Sequence, residues 1–249
     1  MRLLAIDTST ASTIVVVDDG SRVAVRRHDP EPGGRPAHTT AALPLAAEAL
    51  DTLGLAWTDL DRIGVGIGPG SFTGLRSGLS AAAGLARRLE IPLVGVTSTQ
   101  QLAHAAHARR GLRQTVLAVV DGRRRELFVE RFDGVPAEVV VGVSLAEHLD
   151  PVSRPHVVAR DQIDTLGSLD GVLAIGDGAL LERDALLAAG ADVPDPADAL
   201  HGLDGHALAA LTAAGRPQPA DEVRPAYGRG ADAVPTADRP AKPIPGGKS

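Results

Sequence analysis

The chain contains no cysteine among its 249 residues. That absence excludes a disulfide framework, a zinc-thiolate site and a cysteine nucleophile. Aromatic residues are scarce, at 2%, so the 44% apolar fraction that makes the chain globular is aliphatic and rich in Ala. No apolar stretch approaches the roughly 20 residues of a membrane helix. The start, Met1 to Asp7, is a short apolar run ending in a carboxylate and reads as a strand rather than a leader. A soluble, cytoplasmic protein is the expectation. Excess positive charge is missing too. The net charge is -6, and the only basic clusters are Arg109/Arg110/Arg113 and Arg123-Arg124-Arg125. Nucleic-acid affinity rests on phosphate neutralisation, so this chain alone should bind RNA poorly. The eight histidines are scattered. His104 and His107 lie three apart on a helical pattern without a third ligand nearby. His201 and His206 flank a glycine-rich turn and read as exposed.

What the chain has in abundance is glycine at one place. The stretch Gly66-Ile67-Gly68-Pro69-Gly70-Ser71-Phe72-Thr73-Gly74-Leu75-Arg76-Ser77-Gly78 lies between an apolar strand pattern and an Ala/Leu helix pattern. So many glycines cost backbone entropy and need a mechanical reason. A Walker A reading fails because no Gly-Lys-Ser/Thr follows. A nucleophile elbow fails because Pro69 and Thr73 stand where glycines are needed around Ser71. Gly70, Gly74, Gly78, Ala82 and Ala86 recur every four residues and form one small-residue stripe on a helix. Such a stripe admits a closely packed neighbour, from the same chain or from another.

Periodicity gives strands over 2–6, 12–17 and 22–27, a helix over 38–53 with Leu43, Ala46/Ala47 and Leu50 on one face, and a buried strand over 63–67. The glycine loop, a helix from about 74 to 89 and a strand over 93–96 follow. The later chain echoes this order: helix 99–109, strand 115–120 ending at Asp121, strands 126–132 and 137–141, a weak helix over 145–149, then strand 172–175 running through Gly176-Asp177-Gly178 into a helix to 189. Two β-β-β-α-β-α units predict a duplicated ribonuclease-H-like α/β fold, as in actin, sugar kinases and Hsp70. The expected boundaries are 1–97, 98–215 and a Pro-rich, disordered tail over 216–249.

In that fold Asp7-Thr8-Ser9 would face phosphate and magnesium, the carboxylate through a metal-bound water and the hydroxyls through phosphate oxygens. A hairpin turn stabilised by short polar side chains fits the same residues. The second hairpin, Asp121-Gly122-Arg123, lacks the hydroxyls of the first, and Gly176-Asp177-Gly178 is left as an adenosine loop. The phosphate site therefore reads as degenerate.

Leu4-Ala5-Ile6-Asp7-Thr8-Ser9, His38 with Leu43-Pro44, the whole run Gly66 to Arg76, Val94-Gly95-Val96-Thr97-Ser98 and, loosely, Arg224-Pro225-Ala226-Tyr227 resemble the TsaB (YeaZ) family. The likeness is close over residues 1–100 and diffuse over 115–230. It implies a non-catalytic subunit that pairs with a TsaD-type transferase for threonylcarbamoylation of the adenosine beside the anticodon of tRNA. TsaD-like paralogues carry a metal-binding His-x-x-x-His pair where this chain has Ser98 and Leu102, which speaks against a metal site, a transferase and the M22-type glycoprotease label. The resemblance assigns the stripe to the partner interface, formed by Gly70, Gly74, Leu75, Gly78, Leu79, Ala82 and Ala86 with His38. It further implies a TsaE-type ATPase docking on the pair, self-association of the free chain as a homodimer, and tRNA reached only through the complex. No stably bound cofactor is implied, though there is room for a nucleotide at the subunit junction. The competing expectation is an actin-fold ATPase or kinase acting alone through Asp7, Thr8 and Ser9.

Overall fold

The computed structural model describes residues 1–31, 33–111, 113–123, 125–134 and 155–226. The first unit runs β1 (Leu3–Asp7), β2 (Thr13–Asp18), β3 (Val23–His28), α1 (His38–Leu53), β4 (Arg62–Gly68), α2 (Phe72–Leu89) and β5 (Leu93–Thr97). Its sheet has the order β3-β2-β1-β4-β5. The β1–β2 and β2–β3 pairs are antiparallel, whereas β1–β4 and β4–β5 are parallel. The second unit runs α3 (Ser98–Arg110), β6 (Val116–Asp121), β7 (Glu126–Phe132), β8 (His156–Ala159), β9 (Leu173–Ile175), α4 (Asp177–Leu181), α5 (Arg183–Ala188) and α6 (Gly205–Ala214). Its strand order, β8-β7-β6-β9, repeats the first four strands of the first sheet, with β6–β9 parallel as β1–β4 is. The duplication read from the sequence is therefore a duplication of topology.

Layering follows from burial on both faces of the central strands. Leu4 and Ile6 face α1 on the outer side, while Leu3 and Ala5 face inward. The inner faces of both sheets, with α3 and α6 between them, form one continuous core that contains Val94, Val96, Leu102, Val116, Val120, Leu173 and Leu208. The outer face of the second sheet is covered by α4, α5 and a 3₁₀ stretch over Arg160–Leu166 that stands where the first unit has α1. Helix ends carry their signals. Gly54 closes α1 in the left-handed region at φ 70°, Ser71 caps α2, and Thr97 with Gln100 forms a capping box on α3. Arg62 Nη1 reaches the carbonyls of Thr212, Ala213 and Gly215, so a cation caps the C-terminus of α6 across 150 residues of sequence.

Four expectations need correction or placement. The third strand of the second sheet is β8, and the expected strand 137–141 and helix 145–149 lie outside the described residues. The expected helix to 189 is two short helices. Helix α6 is an addition. It belongs to the second unit by sequence but packs on the first sheet as well, where Gly64 leaves the space that the Thr212 side chain fills. The first part of the expected tail is ordered: Gln218 bridges to Leu93 and Val223 is buried. The residues after 226 lie outside the described set.

Candidate functional site

The site begins with Asp7 at the end of β1, only 1% exposed. Its carboxylate has room because β4 has glycine opposite: a Cβ at Gly66 would lie 2.0 Å from Asp7 Oδ2. Asp7 Oδ1 accepts from Ser9 N at 2.7 Å and Ser9 Oγ at 2.6 Å, and Oδ2 accepts from Gln101 Nε2 at 2.6 Å. Burial pushes the Asp7 carboxyl above its ordinary range, against the opposing pull of those hydrogen bonds and of His38. Thr8 Oγ1 donates to Gly74 O at 2.7 Å, and Ser71 N donates to Ser9 O at 2.6 Å. The residues expected to face phosphate are therefore spent on bonds within the chain. An ion or phosphate at Asp7 would have to displace three in-chain donors.

The glycine stripe is the other side of the same contact. A Cβ at Gly70 would lie 2.2 Å from Ser9 O, one at Gly74 2.0 Å from Thr8 O, and one at Gly78 2.3 Å from Thr8 Oγ1. Leu75, Ala82 and Ala86 are buried and Leu79 is half-buried against β4, β5 and Val223. The expected partner interface through Gly70, Gly74, Leu75, Gly78, Leu79, Ala82 and Ala86 is thus corrected. The three glycines seat α2 on the chain's own β1–β2 loop, where Ser9 O, Thr8 O and Thr8 Oγ1 leave no room for a side chain, and the other residues of the stripe pack within the chain as well. His38 is likewise internal. Its Nδ1 lies 2.9 Å from Thr13 Oγ1, the ring is wedged beside Gly74, and burial lowers its basicity.

The face that α1 and α2 turn outward is a different one. Phe72 is 54% exposed and Leu43 44%, and Pro44, Thr73, Arg76 and Ser80 are exposed with them. Leu43 was expected on the inward face of α1, but the buried stripe there is Ala42, Ala46, Ala49, Leu50 and Leu53. The guanidinium of Arg76 lies 4.0 Å above the Phe72 ring, which holds both side chains in one arrangement. Thr39 and Ser77 approach to 3.5 Å across the helix pair. An exposed aromatic, a leucine and a stacked arginine, with hydroxyls and a proline around them, have the composition of a protein-docking patch.

The start of α3 ties the two units together. Ser98 Oγ donates to Ser9 Oγ at 2.9 Å, Gln101 reaches Asp7, and Thr99 Oγ1 donates to Glu130 Oε2 of β7 at 2.5 Å. All six residues of these three bonds are fully or nearly fully buried. Leu102 sits in the shared core. Gln101 and Glu130 carried no sequence signal, since their partners come from 94 and 31 residues away. Among the described residues, no three His, Cys, Asp or Glu side chains gather as a metal group. His107 Nε2 is spent on Gln114 O. His201, expected to be exposed, is buried with its ring nitrogens near Gly176 O and Pro194 O, whereas His206 is exposed.

Between the units a cleft of about 220 Å³ is bordered by Ser9, Thr10, Arg27, Ser71, Asp121 and Asp177. Asp121 is held by Arg123 at 3.1 Å and Arg160 at 2.9 Å, and Asp177 Oδ1 accepts from Asp121 N at 2.9 Å. Burial raises the Asp177 carboxyl. Gly176 and Gly178 are packed against Val119 and Val120 of β6, as Gly70 and Gly74 are packed against the first loop. The Gly-Asp-Gly segment expected as an adenosine loop therefore serves close strand–helix packing. Among the described residues no helix is long and apolar enough to cross a membrane.

Comparison with known proteins agrees with this geometry. Residues 30–153 match the family model described as TsaD, tRNA N6-adenosine threonylcarbamoyltransferase. The chain is 34% identical over 159 residues to the tRNA threonylcarbamoyladenosine biosynthesis protein TsaB of Escherichia coli (strain K12), covering 64% of each chain. It is 36% identical over 159 residues to an uncharacterized protein of Mycobacterium tuberculosis (strain ATCC 25618 / H37Rv), covering 60% of this chain and 67% of that one. The match thus spans just under two thirds of the Escherichia coli protein. The structure of YeaZ from Pseudomonas aeruginosa superposes with a TM-score of 0.69 at 24% identity, covering 90% of this chain and 100% of that chain, and so shares the fold. With two units of one topology, the first loop turned inward, and these relatives, the chain belongs to the TsaB (YeaZ) family.

Proposed function

We propose that this chain is a non-catalytic subunit that pairs with a TsaD-type transferase in making threonylcarbamoyladenosine in tRNA. The observation that carries the non-catalytic reading is the bond from Ser98 to Ser9 at 2.9 Å, with Leu102 in the core. Ser98 and Leu102 stand where the resemblance places the metal-binding His pair of TsaD-like paralogues, and here one bonds Ser9 and the other fills the core. The pairing surface is the outward face of α1 and α2, centred on Leu43, Phe72 and Arg76. It replaces the small-residue stripe, which the chain itself covers. The same face serves self-association of the free chain, since an exposed apolar patch is favourably covered. A TsaE-type ATPase docks on the pair, any nucleotide sits at the subunit junction, tRNA is reached through the complex, and the work is done in the cytoplasm.

Calorimetric titration against the TsaD-type transferase of the same source tests this. Phe72→Ala with Leu43→Asp should weaken binding by about a hundredfold, the range of a lost hot spot. Melting should stay within what exposed substitutions change, about 0.5 kcal/mol. Unchanged affinity in the double variant would overturn the assignment of the surface. Absence of binding by the unaltered chain would overturn the pairing itself.

A further inference from the structure

Residues 216–226 form a strap across the outer edge of the first sheet. Leu93 N donates to Gln218 O at 2.9 Å and Gln218 N to Leu93 O at 2.8 Å, which covers the β5 edge. At the other end Ala226 N donates to Ile67 O at 2.8 Å, beside the start of the glycine loop. Between these two pins Val223, 4% exposed, inserts into a cluster with Ile63, Val65 and Leu93 of the sheet and Ala82 and Ala86 of α2. Leu79 and Ala83 of α2 pack on the same cluster. Gly95 opens the space: a Cβ there would lie 3.3 Å from Val223 Cγ1.

Helix α2 is therefore wedged on two flanks. The β1–β2 loop presses on Gly70, Gly74 and Gly78, and the strap presses on the side toward β5. On the strap's flank α2 offers small side chains at 82, 83 and 86 beside Leu79, so its roll there depends on what packs against them. That roll decides where Phe72 and Arg76 point. We propose that the strap, through Val223, is a positioning element for the docking face: it sets the roll of α2 and so tunes affinity for the partner. This rests on the pairing surface proposed above. A C-terminal segment 150 residues distant in sequence thereby controls an N-terminal contact.

The test uses the full chain in three forms, with calorimetric binding to the TsaD-type transferase and hydrogen exchange as paired readouts. Val223→Asp should weaken binding about tenfold or more and speed exchange in α2, leaving the β6–β7 hairpin protected as before. Val223→Ile should bind and exchange like the unaltered chain, which a generic loss of stability would not predict. Should Val223→Asp fail to fold by circular dichroism, Ala226→Pro carries the same test, because it removes the N–H that bonds Ile67 O and leaves the Val223 side chain in place. Unchanged binding in a folded variant, or weaker binding with α2 exchange unchanged, overturns the strap's role. Failure of the unaltered chain to bind sinks the pairing reading instead. Faster exchange in α2 of the variants would still support the strap.

Discussion

Gly74→Ala is the sharpest probe of how α2 is seated. The added Cβ would lie 2.0 Å from Thr8 O, a backbone atom, and 3.2 Å from His38 Nε2. A carbonyl in the first turn of a hairpin cannot swing aside as a flexible side chain can. Either α2 lifts by more than 1 Å or the loop does, judged against an ordinary contact of about 3.5 Å. Lifting also strains two bonds that cross the contact, Thr8 Oγ1 to Gly74 O at 2.7 Å and Ser71 N to Ser9 O at 2.6 Å. Overpacking costs about 1–3 kcal/mol, and a weakened buried hydrogen bond about 1 kcal/mol more. Alanine regains about 1 kcal/mol of helix propensity over glycine. The net loss is about 2 kcal/mol, read as a drop of roughly 4–8 °C in melting temperature for a chain of this size. Gly84→Ala is the internal control. It lies on the same helix with nothing within 4 Å of its Cβ, so only the propensity gain applies and the variant should melt higher than the unaltered chain. Urea denaturation of both variants, read at constant slope, measures the difference. If Gly74→Ala is as stable as Gly84→Ala, the stripe is not packed within the chain, and its assignment to a surface for another protein returns.

Asp7 makes a pH prediction. Its native pKa lies above the ordinary 3.8, so between that value and the raised native one the folded state holds a proton that the unfolded state has released. Its contribution is fully present below about pH 4 and is lost as pH rises through the native value. Asp7→Asn should remove that slope from a series of denaturation curves, and equal slopes in the two proteins would show that the carboxyl does not titrate as its burial requires. Arg62→Met keeps an unbranched apolar stem but removes the cation from the carbonyls of Thr212, Ala213 and Gly215. It should cost about 1 kcal/mol and speed exchange at the end of α6 before that of α3; equal protection would deny the cap.

Much of the architecture was legible because it is written in local pattern. The apolar runs of β1, β2 and β4 and the Ala/Leu period of α2 each report on neighbours a few residues away. Leu43 was misplaced for a related reason: in an Ala-rich helix several faces look alike, and the one that is buried is chosen by β2 and β3, which lie elsewhere in the sequence. The stripe Gly70, Gly74, Gly78 correctly announced a close approach, but a pattern of small residues does not say whose backbone approaches. Here it is that of Thr8 and Ser9. Pro-rich composition over 216–249 likewise hid a single well-placed Val223, because one buried valine between two hydrogen-bonded pins leaves no periodicity to find.

The polar residues around Asp7 bond to one another rather than to open space. An anion-binding loop needs donors that point into open space and remain unspent until the ligand arrives. Ser9 N and Ser9 Oγ point at Asp7, Thr8 Oγ1 points at Gly74 O, and Ser98 Oγ points at Ser9 Oγ. Each donor is satisfied inside a low-dielectric interior, where an unpaired group costs most, so emptying the loop for a ligand would forfeit several bonds at once. What those bonds achieve is mechanical. Gln101 and Ser98 fix α3 to the first unit while Thr99 fixes it to Glu130 of the second. A hinge motion between the two units would have to break this buried set. A fixed angle between the halves is the property that the proposed presentation of the α1 and α2 face would need, and the hydroxyls of the first loop and of α3 are the parts that supply it.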